Sequence, residues 1–369
     1  MGRVTTFRID VPTADIDDLR ERLERTRWPD DVAAGAADWD AGTPPAVLRP
    51  LVARWLDGYD WAATQERWNA LAQHRVVVDD MPIHVVRAGT PGATPLVLVH
   101  GWPDGFLRFE RALPAISDRF DVIIPTIPGF GFSGHPDRPG WGPTRVADAF
   151  IGVLDALGIA RAGVHGADLG STVAESMAAR HPDRILALHL GDVPAWHRYT
   201  IDPATVSADE AAFLNAMSRW FADEGAYAAL QRTKPLSLAY GLDDSPTGLA
   251  GWIVEKLRAW SDCDGDLHSR FTADEVLDDV SLYWFTRTGG SAARYYRESA
   301  IQPVATTRAR VPTGFLIFPR DIACPPQAYA ERFFDVRRFT RAPRGGHFGP
   351  WEEPDIWAED LRAFFDTLE

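Results

Sequence analysis

The chain has 369 residues, an ordinary hydrophobic share of 46%, and a formal net charge of -14 at neutral pH. That acidity disfavours nucleic acid or an anionic membrane as the main partner, and two cysteines, Cys263 and Cys324, provide no disulfide framework. The length allows two or three average domains or one large α/β unit with additions. The first residues hold no apolar leader and no apolar run is long enough to span a bilayer, so a soluble, cytoplasmic protein is expected.

Residues 1–74 read as a helical, irregular meander. Ile16, Leu19 and Leu23 recur at helical spacing before Trp28-Pro29. A second helix is expected from about Val47 to Leu56, with Pro50 tolerable only in its first turn. Tyr59-Asp60-Trp61 then packs this segment onto later parts of the chain. The Ala/Gly/Asp-rich stretch 32–43 reads as a loop. From Arg75 the pattern changes to short β-branched runs. Residues 75–79 and 83–87 form a hairpin about Asp80-Met81-Pro82. Apolar runs at 96–100, 121–125, 162–165 and 185–190 come next, mostly separated by helical stretches, as in a parallel sheet buried on both faces. Strand signal then stops. Helical, aromatic stretches occupy 213–221, 249–260 and 276–285. Strands return at 314–318 and 336–339, and an amphipathic helix from Ile356 to Leu368 closes the chain. The layout predicts a mostly parallel, doubly wound sheet with a helical cap inserted late. The segments are 1–74 (N-terminal meander), 75–194 (first part of the core), 195–305 (cap) and 306–369 (second part of the core).

Chemistry in such sheets sits past the C-terminal ends of strands. Gly166-Ala167-Asp168-Leu169-Gly170 has the shape of a nucleophile elbow, with Asp in the place of the usual Ser. A Ser attacking an alkyl carbon makes an ether, which water does not cleave at useful rates. An Asp makes an ester, which activated water hydrolyses. Alone, Asp168 would read as a turn or helix N-cap residue. The apolar run before it and the helix after it, whose dipole favours an ionised carboxylate, shift that balance. Gly345-Gly346-His347-Phe348 supplies the only His of the C-terminal tail, in the chain order nucleophile, acid, His. Its task would be to draw a proton from water. Asp321, after the strand ending at Phe318, is the best carboxylate to orient it, with Asp335 and Glu352 weaker competitors. His100-Gly101-Trp102-Pro103 directly follows a strand. The backbone N–H groups of Trp102 and Leu169 are candidates for an oxyanion hole. The glycine-rich residues 128–134 lack the lysine of a phosphate loop and read as a rim loop.

With these motifs, the chain resembles the microsomal-type epoxide hydrolases over nearly its whole length. The similar segments include Arg27-Trp28-Pro29, Tyr59-Asp60-Trp61, His100-Gly101-Trp102-Pro103, Gln231-Arg232-Thr233-Lys234-Pro235 and Pro343-Arg344-Gly345-Gly346-His347-Phe348. The resemblance implies an α/β-hydrolase fold and two cap tyrosines that hold the epoxide oxygen, Tyr227 and Tyr296. Tyr295 is adjacent, but its spacing to Arg294 and Glu298 fits less well. It also places the acid at Asp321 and implies conversion of an epoxide to a vicinal diol without metal or cofactor. A phenol stays protonated at neutral pH and can donate to a developing alkoxide. Two departures stand at the elbow, where the family commonly has Gly-Gly-Asp-Trp-Gly: Ala167, which is small enough to fit, and Leu169, which removes an aromatic wall. The membrane anchor of the microsomal members is missing from this sequence.

Two alternatives fit the same residues less well. A haloalkane dehalogenase shares the Asp and His but typically carries a halide-binding Trp where Leu169 stands. A non-catalytic hydrolase-fold binding protein would tend to lose a triad member. The expected partner is a small-molecule epoxide. Trp196, Trp220, Phe221, Trp252, Trp260, Trp284 and Phe285 would favour a bulky or aromatic one wherever they face the cavity. Detoxification and biosynthesis fit equally, and a homodimer is compatible with the sequence.

Overall fold

A computed structural model describes residues 3–30, 39–301 and 308–368. Among the described residues nine strands form one sheet in the order β1-β2-β3-β5-β4-β6-β7-β8-β9. They are β1 (Arg3–Thr6), β2 (Ala72–Val78), β3 (Met81–Gly89), β4 (Thr94–Val99), β5 (Phe120–Pro125), β6 (Ala162–Gly166), β7 (Ile185–Leu190), β8 (Pro312–Ile317) and β9 (Asp335–Arg341). The first three pair antiparallel and β3 meets β5 antiparallel; every later pairing is parallel. β5 and β6 are buried along their whole length, as the unbroken apolar runs require. Helices Pro143–Ala156, Leu169–Arg180 and Pro354–Asp366 pack on the sheet. This is the α/β-hydrolase architecture.

The chain order turns back on itself around β4, which lies between β5 and β6. Val99 of β4 stands in register with Gly166 of β6. The loops leaving these two strands therefore emerge side by side, at the switch point where such sheets bind ligands.

Three expectations need correction. The N-terminal segment is not wholly helical: Arg3–Thr6 forms an edge strand on β2, and β2 itself begins at Ala72. The hairpin turns at Asp79-Asp80, both with positive φ (48° and 64°), a two-residue turn that matches the twist of its strands. Met81 and Pro82 already belong to β3. Pro50 lies beyond the first turn of a helix that starts at Pro45 and runs to Asp57. The loop read at 32–43 falls largely on residues outside those described, although Gly42 does turn with positive φ.

The chain between β7 and β8 builds the cap. Beyond the three expected helices, here Ala208–Asp223, Pro246–Trp260 and Ala273–Thr286, it holds Ala226–Thr233, Pro235–Asp244 and Gly289–Ile301. Pro235 and Pro246 each occupy a first helical position, where a missing N–H costs nothing, and so open helices. The N-terminal helices strap the cap from outside. Arg22 pairs with Asp244 at 2.9 Å and Arg54 with Asp274 at 2.5 Å. Asp278, on the Ala273–Thr286 helix, accepts from Tyr59, Thr64 and Arg67 at 2.7, 2.8 and 2.5 Å.

Candidate active site

β6 ends in a sharp turn that passes directly into the Leu169–Arg180 helix. Asp168 occupies that turn at φ 57° and ψ -126°, a conformation costly for a residue with a Cβ. The flanking glycines are required by space. A Cβ on Gly166 would stand 2.3 Å from the Gly170 carbonyl oxygen, and one on Gly170 would stand 2.3 Å from that of Val99. The Asp168 side chain makes no capping bond to its helix. Instead Oδ1 accepts the Trp102 N–H at 2.8 Å. Burial raises its pKa, countered by His347 and by the N–H groups of Leu169 and Trp102.

His347 faces the other carboxylate oxygen, with Nε2 3.6 Å from Asp168 Oδ2. Its Nδ1 lies 2.7 Å from Asp321 Oδ1. Burial opposes its charge, yet Asp321, through charge and hydrogen bond, and Asp168 raise its pKa to about 9. Asp321 is in turn fixed by the Ile322 N–H at 2.6 Å. Glu352 serves the His loop differently, accepting the N–H groups of Asp262, Phe348 and Gly346. Asp335 pairs with Arg337 at the surface.

A cavity of about 380 Å³ opens above Asp168. Tyr227 and Tyr296 line it, as do Leu169 and Asp192. Trp102 stacks flat on Tyr227, with ring centroids 5.1 Å apart, and meets the Tyr296 ring at 84°. The Tyr296 hydroxyl is buried with no hydrogen-bond partner among the described residues. Burial raises the pKa of both phenols, followed by the charge of Asp168 for Tyr227 and by the neighbouring Tyr227 and then Asp168 for Tyr296, so both hold their protons. Tyr295 packs its ring against Phe130 and does not line the cavity. Of the seven cap aromatics, Trp196 and Phe221 line the cavity. Trp260 covers His347, Trp220 backs Phe221, Trp252 bonds Gln231, and Phe285 and Trp284 face Trp61 and Arg22 of the strap.

Sequence reasoning missed two features of this site. Asp192, two residues past β7, accepts the Asp168 N–H at 3.0 Å and the Ser171 hydroxyl at 3.1 Å, bracing the elbow. Burial and the neighbouring Asp321 and Asp168 charges push its carboxyl up to about 7. Its position just past a strand end was the available signal. The second is a buried ion pair, Arg108 with Asp104 at 2.8 Å. Asp104 accepts the Gly101 N–H while Arg108 donates to the His347 carbonyl, so this pair joins the two loops that carry the site.

Residues 4–109 match the family described as epoxide hydrolase N terminus, and residues 94–249 match the α/β hydrolase fold family. A Stigmatella aurantiaca protein assigned as an epoxide hydrolase is 34% identical over 99% of this chain and 85% of its own length. The chain belongs to the epoxide hydrolase family. Epoxide hydrolase 1 of Sus scrofa is 28% identical over 99% of this chain and 89% of its own. The juvenile hormone epoxide hydrolase of the silkworm Bombyx mori superposes with a TM-score of 0.89 at 26% identity, covering 100% of this chain and 95% of that one. This epoxide hydrolase keeps the full fold of its relatives, and neither the dehalogenase nor the non-catalytic reading is favoured. Among the described residues no helix is long and apolar enough to cross a membrane.

Proposed function

We propose that this epoxide hydrolase works through a covalent ester on Asp168. The observation that carries the reading is His347, bonded to Asp321 on one nitrogen and 3.6 Å from Asp168 Oδ2 on the other, beneath two cap phenols. Asp168 Oδ2 attacks an epoxide carbon and the C–O bond breaks toward oxygen. That oxygen takes a phenolic proton from Tyr227 or Tyr296. The phenolate recovers a proton from the His347 imidazolium through solvent, which leaves His347 neutral. Water then gives a proton to His347 as it attacks the ester carbon. The resulting oxyanion is Oδ1, already facing the Trp102 N–H, with the Leu169 N–H as second donor. Collapse releases the diol, whose alkoxide takes the carboxyl proton, and restores the Asp168 carboxylate beside an imidazolium.

The test is diol formation from styrene oxide and a panel of larger epoxides, wild type beside Asp168→Asn and His347→Gln. The expected outcome is no turnover in Asp168→Asn and a stable adduct mass on Asp168 in His347→Gln. Unchanged turnover in Asp168→Asn, or no adduct in His347→Gln with a reactive epoxide, would refute the covalent route.

A further inference from the structure

The two ends of the cavity carry opposite charge. The carboxyls of Asp168 and Asp192 lie at its buried end, whereas Arg198 and Arg232 line it where it reaches the surface beside the exposed Tyr199. Arg198 is half-buried, with its guanidinium 3.7 Å from the Phe221 ring centroid and 4.6 Å from that of Tyr199. Arg232 is exposed on the Ala226–Thr233 helix. Among the described residues neither arginine is paired with a carboxylate, and Arg198 donates to the Tyr199 hydroxyl.

Between the two ends the wall is cleared. Ala228 and Ala229, between Tyr227 and Arg232 on the same helix, line the cavity with nothing larger than a methyl group. Tyr227 and Arg232 are five residues apart, a rise of about 7.5 Å along the helix axis. One aromatic ring with substituents at opposite ends spans that distance.

We propose that the preferred substrates are epoxides bearing a carboxylate about one ring's length from the epoxide, with Arg198 and Arg232 as the residues that select them. This rests on the epoxide-hydrolysis reading of the same site. A guanidinium matches a carboxylate with two parallel donors, and stacking on Phe221 holds that of Arg198 in one plane. The anion is met at the arginine end of the cavity, so it gains the arginines without being placed against the nucleophile's charge. Styrene-like epoxides with no anion would fill the apolar middle and leave both arginines without an anionic partner.

The test compares 4-(oxiran-2-yl)benzoate with its methyl ester. The wild type is expected to favour the acid by about tenfold in kcat/KM at low ionic strength, with the preference shrinking as salt rises. In Arg198→Met/Arg232→Met the ratio should fall to about one. Calorimetry with the unreactive product, 4-(1,2-dihydroxyethyl)benzoate, against its methyl ester gives a readout independent of turnover. Tighter binding of the acid, lost in the double variant, supports the anion site even if neither epoxide is hydrolysed, in which case the reaction reading alone falls. Equal handling of acid and ester by the wild type in both assays, or a preference that survives the double substitution, overturns the proposal.

Discussion

The protonation state of His347 sets a puzzle that the covalent route resolves. With its pKa raised to about 9, the ring is an imidazolium in the free protein at neutral pH and so cannot act as a base. Two carboxylates hold that proton, Asp321 at 2.7 Å and Asp168 at 3.6 Å. Once Asp168 is esterified its charge is gone, and the ring's pKa must fall, because one of the two anions that raised it has been neutralised. Alkylation thus produces the base that the next step requires. The rate of ester hydrolysis, followed by tryptophan fluorescence after rapid mixing, is therefore expected to rise with pH through a midpoint below the free protein's His347 titration, itself read by NMR. A midpoint above about 9 would contradict the assignment. Asp168 and His347 were legible in the sequence because each sits among glycines that a tight backbone demands. Asp192 was not, since a lone Asp after a strand looks like any loop carboxylate until its distance to the Asp168 N–H is known.

At the scale of elements, strands with unbroken apolar runs were readable, whereas β1 was not. Its four residues, Arg3–Thr6, are all exposed and carry no burial pattern, so only pairing with β2 defines it. The three extra cap helices were hidden for another reason: their prolines and glycines open helices, and a single sequence does not separate an opening proline from a breaking one. The strap was half visible. Tyr59 was expected to pack onto later chain, but its partner Asp278 lies more than two hundred residues away and carries no local signal. Asp278 is almost fully buried and receives three donors, so Asp278→Ala would leave Tyr59 and Thr64 without that acceptor and Arg67 with Glu110 alone. The expected loss is about 3 kcal/mol, measured as a shift in the urea midpoint. A variant as stable as the parent would show that this tie contributes nothing to the folded state.

Across the whole molecule, stability should depend on pH in a direction set by the site. An unfolded His titrates near 6.5, while His347 keeps its proton to about 9. Over that interval the native chain binds the extra proton, so stability conferred by this group is full below about 6.5 and lost as pH rises to about 9. Asp192 and Glu352, each pushed up to about 7 by burial first, act in the same direction from the ordinary carboxylate range upward. Thermal melting is expected to fall between about pH 6.5 and 9, and His347→Gln should flatten that limb. A melting temperature that climbs over the same range in the parent would refute the ion-pair arrangement.

The strap also decides how molecules come and go. Three cap helices, Pro235–Asp244, Pro246–Trp260 and Ala273–Thr286, are fastened to the N-terminal segment through Asp244, Thr247 and Asp274 with Asp278. A cover fastened at three points does not lift like a hinged lid. Among the described residues the cavity above Asp168 reaches the surface beside Tyr199, so a diol that leaves by that mouth has to clear it before the next epoxide enters the same way.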